Sequence, residues 1–129
     1  MMNGETQIQL NITDLDNALK FYENELALFK FEFDYGMGTV LLCHIKNEKF
    51  KLILHEGKPE TLSYPLMSFY VENCYIEFER LQNFAFTSGG QLVSNSVFEY
   101  PLGRNIQVVD GDGHKILLYD KYVRLLKDV

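Results

Sequence analysis

Two six-residue stretches decide how this chain folds. Residues 51–56 read Lys-Leu-Ile-Leu-His-Glu and residues 115–120 read Lys-Ile-Leu-Leu-Tyr-Asp, so they agree in character at every position. Each is an apolar run of strand length with polar residues at its ends. Because the same pattern closes both halves of the chain, the sequence predicts an internal repeat built from two similar sheets.

The elements that precede residues 51–56 define the first half. Residues 7–12 alternate polar and apolar side chains, which is typical of a strand with one buried face. Residues 15–26 then carry apolar side chains at helical spacing, with Asp14 or Asp16 as the N-cap. Further strands are predicted at residues 29–35, 39–46 and 49–55. The first half therefore has the predicted order βαβββ.

The same order recurs after a polar, proline-bounded stretch. A strand is predicted at residues 66–71, followed by a helix that Asn73 caps and in which Cys74 and Leu81 share a face. Further strands are predicted at residues 91–100, 104–109 and 115–120, and Asp112-Gly113 forms the turn between the last two. The second half again has the order βαβββ.

The domain prediction follows from this repeat and from the length of 129 residues, which suits one domain. We expect a single domain over residues 1–129, divided into four parts in chain order. These are module 1 at about 6–56, a linker at 57–65, module 2 at about 66–120 and a tail at 121–129 that forms a short helix.

Composition limits the partners of the protein. Twelve basic and eighteen acidic residues give a formal charge of −6, which disfavours electrostatic binding to nucleic acid or to anionic lipid. No stretch approaches the ~20 apolar residues of a membrane span, and residues 1–6 lack the features of a signal peptide. We expect a cytoplasmic protein in which Cys43 and Cys74 are reduced core thiols.

Aromatic residues are numerous, with eight tyrosines and ten phenylalanines. We expect most phenylalanines in the core, with Phe29, Phe31 and Phe33 on one face of a strand.

Tyrosines near predicted strand ends are candidates for a ligand platform: Tyr35, Tyr64, Tyr70, Tyr100 and Tyr119. Three acids adjoin them, namely Asp34, Glu99 and Asp120. A carboxylate beside an aromatic face attracts a cationic ligand, and an ordinary solvated surface is the alternative.

Three motifs resemble those of the vicinal oxygen chelate superfamily, the glyoxalase and bleomycin-resistance group. They are residues 12–22, which read Ile-Thr-Asp-Leu-Asp-Asn-Ala-Leu-Lys-Phe-Tyr, the Pro-Leu-Gly-Arg of residues 101–104, and the Asp-Gly-Asp-Gly-His-Lys-Ile of residues 110–116. The resemblance implies an α+β fold in which two βαβββ modules form a cupped, eight-stranded mixed sheet with helices outside. It also implies a ligand inside the cup and, often, a homodimer.

The resemblance further implies where a metal would be held. The family's ligand positions fall on Gln7, Leu66, Ile53 and Leu117, and three of these four residues are aliphatic. A divalent ion needs several oxygen, nitrogen or sulfur donors at one point, so we expect no metal and no cofactor. If the alignment with the family's motifs is wrong by one or two residues, the last two ligand positions fall instead on Leu54 or His55 and on Leu118 or Tyr119. These residues still supply too few donors.

Strand alternation predicts what lines the cup instead. If Ile8, Leu10 and Ile12 face the helix, their polar neighbours on the same strand face the cup. The candidate ligand-binding residues from this alternation are Gln7, Gln9, Asn11, His55, Ser68, Tyr70 and Tyr119. Arg104 joins them because it could reach an anionic group, although a structural salt bridge is the alternative. The structural alternative for each of these residues is that its side chain packs against the others and fills the cup without a ligand.

Three functions are consistent with these residues. The leading hypothesis is a metal-free, small-molecule binding protein that resembles bleomycin-resistance proteins, sequesters a cationic or aromatic antibiotic and has no catalytic residues. The second is a metal-dependent glyoxalase-type lyase or isomerase, or a dioxygenase, with relocated ligands. The third is a metal-free enzyme with His55 or Tyr70 as acid–base group, for which no reaction can be named.

Overall fold

The computed structural model describes residues 4–100 and 103–121 of the chain. Within these residues the element order is βαβββ followed by βαββββ, in two mixed sheets, which is the predicted repeat with one strand in two pieces and confirms the predicted α+β class. The strands are β1 (Thr6–Ile12), β2 (Phe29–Gly36), β3 (Thr39–His44), β4 (Phe50–Glu56), β5 (Met67–Tyr70), β6 (Gln91–Leu92), β7 (Phe98–Tyr100), β8 (Gly103–Val109) and β9 (Lys115–Lys121). The helices are α1 (Leu15–Leu19), which continues as a π-helix (Lys20–Glu25), and α2 (Cys74–Gln82).

The described chain divides into two compact units. The first unit comprises residues 4–60 together with Phe86–Gly89, and the second comprises residues 61–85, 90–100 and 103–121. The predicted boundaries of the modules and the single-domain assignment stay predictions. Residues 122–129 of the predicted tail, and Pro101 and Leu102 of the second motif, lie outside the described residues.

The first unit holds a four-stranded sheet in the order β1-β4-β3-β2. β1 and β4 run parallel, while β4, β3 and β2 are antiparallel neighbours. Alternate residues are buried on the face that the helix covers: Leu10, Ile12, Val40, Leu42, Leu52 and Leu54. The opposite side of the sheet, which we call the open face, carries the other half of each strand's side chains.

The helical segment of the first unit begins where the sequence predicts. Asp14 is the N-cap, and its carboxylate accepts the backbone N–H of Asn17 at 3.0 Å. The segment then buries Phe21, Tyr22 and Leu26. The Tyr22 ring lies edge-on to Phe29 of β2 at 6.0 Å between centroids, so the aromatic end of the helix continues into the core of the sheet.

A buried carboxylate joins residues 86–89 to the rest of the first unit. Glu25, at the end of the π-helix, accepts hydrogen bonds from the backbone N–H of Thr87 at 2.9 Å and of Ser88 at 3.3 Å. The Ser88 hydroxyl donates to the same carboxylate. A buried charge is stable only where it is hydrogen-bonded in this way, so Glu25 fixes the position of a segment that is distant in sequence.

The second unit holds a sheet in the order β5-β9-β8-β6, and β7 pairs with β8 beside β6. The helix-covered face buries Met67, Phe69, Ile106, Val108, Ile116 and Leu118. Asn73 caps α2 as predicted, because its side-chain oxygen accepts the backbone N–H groups of Tyr75 at 2.9 Å and Ile76 at 3.2 Å.

The single strand predicted at residues 91–100 is two short strands. Leu92 pairs with Val108, whereas Phe98 pairs with Asn105, so the pairing with β8 shifts between them. In the intervening segment the Ser94 hydroxyl accepts the backbone N–H of Gln107 at 2.8 Å. A serine side chain thus replaces a backbone partner, which interrupts the ladder.

The expectation that most phenylalanines are buried is wrong. Three of the ten, Phe21, Phe29 and Phe69, are buried, whereas Phe31 and Phe33 are 45% and 53% exposed. β2 is the edge of its sheet, and its register shifts between Phe31 and Phe33. A bulge breaks the alternation that would have kept Phe29, Phe31 and Phe33 on one face.

The helical segments of the protein are short. In the part of the chain that the structure describes, none of them combines the length and the apolar character that crossing a bilayer requires.

Candidate functional site

The open face of the first sheet is organised in three rows by the strand register. Side chains of directly paired residues lie side by side, so each row runs across the strands. The row at the start of β1 and β4 contains Gln7, Lys51, Cys43 and Lys30. The middle row contains Gln9, Ile53, Leu41 and Phe33, and the third contains Asn11, His55 and Thr39. The face is therefore charged at one end, apolar in the middle and polar at the other end.

Four predicted ligand-binding residues lie on this face. Gln7, Gln9, Asn11 and His55 are all exposed, as the strand alternation predicts. His55 already has a partner, because its Nδ1 forms a hydrogen bond with the hydroxyl of Thr39. The amide of Asn11 donates to the carbonyl of Lys58 at 3.2 Å. The two glutamines are thus the residues of this set whose side chains are most available to a ligand.

The open face of the second sheet carries an aromatic row. Tyr70, Tyr119, Asn105 and Phe98 follow one another across four strands. The Tyr70 and Tyr119 rings meet edge to face at 5.9 Å between centroids, and Tyr70 and Phe98 are 54% and 61% exposed. We use the name aromatic row for Tyr70, Tyr119 and Phe98, with Asn105 as the polar group among them.

A polar row lies beside the aromatic row. Ser68 pairs with Leu117, and Leu117 pairs with Gln107 on its other side. The structure thus brings together the predicted residues Ser68, Tyr70 and Tyr119 on one face. Asn105, Gln107 and Phe98 join them without having been predicted. For Asn105 and Gln107 the signal in the sequence is the alternation of residues 103–109, which gives the facing of β8 but not the identity of its neighbouring strands.

Arg104 is the exception among the predicted ligand-binding residues. It lies on the helix-covered side of β8, where its guanidinium binds both oxygens of Asp120, Nε to Oδ1 at 2.8 Å and Nη2 to Oδ2 at 2.7 Å. It also lies over the ring of Tyr75, 5.0 Å from the centroid. The salt bridge that was the alternative accounts for Arg104, and we remove it from the ligand-binding set.

Asp120 links this ion pair to the start of α2. Its Oδ2 also accepts the backbone N–H of Cys74 at 2.7 Å. Burial favours a higher pKa for Asp120, but the hydrogen bonds from Arg104 and from Cys74 outweigh it and hold the pKa below its usual value. Burial raises the pKa of the Cys74 thiol to about 12, as suits an unreactive core residue. Asp120 is therefore not available to attract a cationic ligand.

Two other acids beside tyrosines also have partners in the protein. Asp34 accepts the backbone N–H of Gly36 at 2.7 Å, and Glu99 accepts the hydroxyl of Tyr75. These contacts weaken the expectation that acids next to tyrosines form the ligand platform.

The positions at which this fold can hold a metal do not fit one in this chain. Ile53 lies between Gln9 and Leu41, and Leu117 lies between Ser68 and Gln107. Leu54 and Leu118, the alternatives from a register slip, are buried on the helix-covered faces. Aliphatic side chains offer no donor, so of the positions considered Gln7, His55 and Tyr119 remain as possible ligands, fewer than the donor set that a divalent ion needs.

One cluster in residues 4–100 and 103–121 does bring potential metal ligands together. Ligand atoms of Asp110, Asp112 and His114 lie within 4.8 Å of one another. However, Asp110 Oδ1 accepts the backbone N–H groups of Asp112 at 3.0 Å and His114 at 2.9 Å, and Asp110 Oδ2 bonds His114 Nδ1 at 2.7 Å. The cluster is the hydrogen-bonded core of the β8–β9 turn, in agreement with the turn predicted there.

The buried histidines predict opposite pH dependences of stability. Burial opposes protonation of His114, but Asp110 and Asp112 outweigh it and raise the pKa above 6.5. Burial, with Lys46 nearby, lowers the pKa of His44 below 6.5. The contribution of His114 is therefore complete below the unfolded value and is lost as pH rises through the folded pKa. The cost from His44 appears as pH falls below the unfolded value.

Urea unfolding between about pH 5.5 and about pH 9 tests this prediction. The difference in unfolding free energy between wild type and His114→Gln is expected to be largest at the acid end and to shrink as pH rises. The difference for His44→Gln is expected to change in the opposite direction. Parallel pH profiles for the two variants contradict the assignment.

Comparisons with known proteins agree with this architecture. No protein-family model matches the sequence, and no curated protein matches it either. Among solved structures, the chain is similar to FosX, a genomically encoded fosfomycin resistance protein from Listeria monocytogenes. The TM-score is 0.71 at 19% identity, with 100% of each chain covered.

Two further structures give the same result. TnmS3, an antibiotic binding protein from a Streptomyces species, has a TM-score of 0.73 at 17% identity, covering 94% of this chain and 98% of that one. A glyoxalase/bleomycin resistance protein/dioxygenase superfamily member from Sphaerobacter thermophilus has a TM-score of 0.68 at 18% identity, covering 90% and 95%. The chain therefore has the vicinal oxygen chelate fold, which is the fold of the glyoxalase, bleomycin resistance protein and dioxygenase superfamily.

Proposed function

We propose that this protein is a metal-free binding protein that sequesters an aromatic small molecule, such as an antibiotic, on the open face of its second sheet. The observation that carries the proposal is the aromatic row. Soluble proteins bury aromatic rings where they can, and exposed aromatic groups with a few polar groups among them are typical of ligand sites. Here Asn105 and Ser68 supply the polar groups, while Tyr70 and Phe98 supply exposed rings.

Two further observations support a binding role. The positions where this fold can hold a metal are aliphatic at Leu66, Ile53 and Leu117. This disfavours the second hypothesis, a metal-dependent enzyme. Among the neighbours in fold, TnmS3 is described as an antibiotic binding protein. The cationic character of the ligand is the weaker part of the proposal, because the acids that suggested it have partners within the protein.

Isothermal titration with a panel of cationic and neutral aromatic antibiotics tests the proposal. We expect at least one compound to bind with a dissociation constant of about 1 μM or tighter. Replacing Tyr119 or Tyr70 with alanine is expected to weaken that binding at least about tenfold, because each ring supplies stacking area. Phe84→Ala is the matched control, since Phe84 is an aromatic residue that is 38% exposed, follows α2 and belongs to none of the candidate ligand-binding sets.

Two outcomes contradict the proposal. One is that no compound in the panel binds, and the other is that Phe84→Ala weakens binding as much as Tyr119→Ala does. Metal analysis of dialysed protein provides a separate check, because stoichiometric retained zinc, nickel, manganese or iron overturns the metal-free part.

We also infer that the protein acts in the cytoplasm as a homodimer. The exposed aromatic residues at the end of the edge strand β2, Phe33 and Tyr35, support association of two copies. Light scattering coupled to size-exclusion chromatography measures the mass directly. A single species of 15.0 kDa at micromolar concentration contradicts the dimer.

A further inference from the structure

A cavity lies on the first unit, at the charged end of the open face, where Gln7 is the strand neighbour of the lining residue Lys51. It has a volume of about 560 Å³, within the range of small-molecule sites. Six charged residues line it, three of each sign: Lys30, Lys49, Lys51, Glu5, Glu32 and Glu48. We call it the charged pocket. It shares no residue with the aromatic row, so it is independent of the function proposed above.

One ion pair fixes the interior of the charged pocket. Lys51 Nζ binds both oxygens of Glu32, at 2.9 Å to Oε1 and 2.7 Å to Oε2. The Lys51 side chain is only 13% exposed, and the hydrogen bond with Glu32 raises its pKa. Within the described residues, neither Lys30 nor Lys49 forms a side-chain ion pair. The two lysines are thus available to an acidic group.

The remaining lining residues add a negative side and an apolar wall. Glu48 lies in the turn between β3 and β4, and its backbone carbonyl accepts a hydrogen bond from the Cys43 thiol. The Glu48 side chain lines the cavity and makes no ion pair in residues 4–100 and 103–121. Phe31 borders the charged pocket and is 45% exposed. Cation, anion and aromatic ring therefore surround one cavity.

We propose that the charged pocket binds a zwitterionic small molecule with an apolar side group, an amino acid with an aromatic side chain being the simplest example. A ligand with only one sign of charge is attracted to half of the lining and repelled by the other half. A zwitterion places its carboxylate near Lys30 and Lys49 and its ammonium near Glu48, so both charges are compensated. Phe31 then packs against the side group.

Three related compounds test this selectivity by titration calorimetry. They are L-phenylalanine, its methyl ester, which lacks the negative charge, and N-acetyl-L-phenylalanine, which lacks the positive charge. We expect L-phenylalanine to bind with a dissociation constant of about 1 mM or tighter, and each blocked compound to bind at least about tenfold more weakly. The proposal is overturned if either blocked compound binds as tightly as L-phenylalanine, or if L-phenylalanine gives no binding heat at about 10 mM.

Variants locate the binding. Lys30→Gln and Glu48→Gln are each expected to weaken L-phenylalanine binding at least about tenfold. Lys58→Gln and Glu60→Gln change the same charges at exposed positions outside the charged pocket and are expected to leave the affinity unchanged. Equal loss in a pocket variant and its control overturns the assignment. If the wild-type protein binds an antibiotic but does not bind L-phenylalanine, only this proposal fails and the function proposed above is unaffected.

Discussion

Replacing Asp120 with asparagine is expected to lower the free energy of unfolding by about 3 kcal/mol at pH 7. The Asp120 side chain is 1% exposed, and its two oxygens accept bonds from Arg104 and from the backbone N–H of Cys74. Asparagine retains one acceptor oxygen but no charge, so the Arg104 guanidinium loses its counterion while 18% exposed. Breaking one half of a largely buried pair is much more costly than losing a surface pair.

The effect of this substitution is expected to depend on pH in one direction. Arg104 and Cys74 hold the pKa of Asp120 below its usual value, so the carboxylate stabilises the fold at every pH above the unfolded pKa. The stabilisation is lost as pH falls through the folded pKa. The difference between wild type and Asp120→Asn is therefore expected to be constant from about pH 5 to about pH 8 and to decrease below about pH 4.

Glu77→Gln is the matched control for the ion pair. Glu77 pairs with Arg80 on the surface of α2 at 3.0 Å, with side chains 27% and 32% exposed. Such a pair contributes about 0.5 kcal/mol. Urea unfolding of the two variants side by side measures both losses. If Asp120→Asn is no less stable than Glu77→Gln, the ion pair is not structural and Arg104 becomes a ligand-binding candidate again.

The repeat, the caps and the facing of the first strand could be predicted because each is a local property of the sequence. Alternation along residues 7–12 determines which side chains share a face, and Asp14 and Asn73 act on backbone groups within three residues. Local signals of this kind depend on a spacing that a single sequence displays directly.

The roles of Arg104 and Asp120 could not be predicted in the same way. Their contact is set by the pairing of β8 with β9, which is a register and not a local pattern. Seen alone, Asp120 is an acid beside a tyrosine, and so it suggested a ligand platform. Once the register is known, Arg104 and Asp120 are direct neighbours on the helix-covered face.

The exposed phenylalanines and the charged pocket depend on a bulge in β2 and on strand pairing, neither of which a single sequence displays. Lys30 and Glu32 alternate with Phe31 and Phe33, which indicates one charged face and one apolar face. The register shift between Phe31 and Phe33 breaks that alternation at the edge of the sheet. Lys51 lies on β4 and Glu32 on β2, on either side of Cys43 in β3. Their ion pair therefore depends on the pairing of three strands.

Replacing Gly103 with alanine is expected to lower the free energy of unfolding by about 3 kcal/mol. A Cβ at this position lies 2.5 Å from the backbone oxygen of Asp120 and 2.6 Å from the hydroxyl of Tyr100. The Tyr100 side chain can move away, but the oxygen belongs to β9 and can move only with the strand. Gly103 is thus required by the close approach of two backbones at the start of β8.

Gly57→Ala is the control that separates this crowding from the general effect of an added methyl group. A Cβ at residue 57 lies 3.4 Å from the side chain of Asn11, a contact that small adjustments relieve. Because alanine restricts the unfolded chain, Gly57→Ala is expected to be neutral or to stabilise by up to about 1 kcal/mol. Equal stability of the two variants contradicts the close approach at Gly103.

The combination of the two substitutions shows whether crowding acts through the ion pair. Gly103 precedes Arg104, and the displaced oxygen belongs to Asp120, so moving β8 from β9 also separates the guanidinium from the carboxylate. Part of the loss in Gly103→Ala is then the same loss that Asp120→Asn produces. The double variant is expected to be more stable than the sum of the single losses predicts, by about 1 kcal/mol or more. Strict additivity would mean that the backbone absorbs the methyl group without disturbing the Arg104–Asp120 pair.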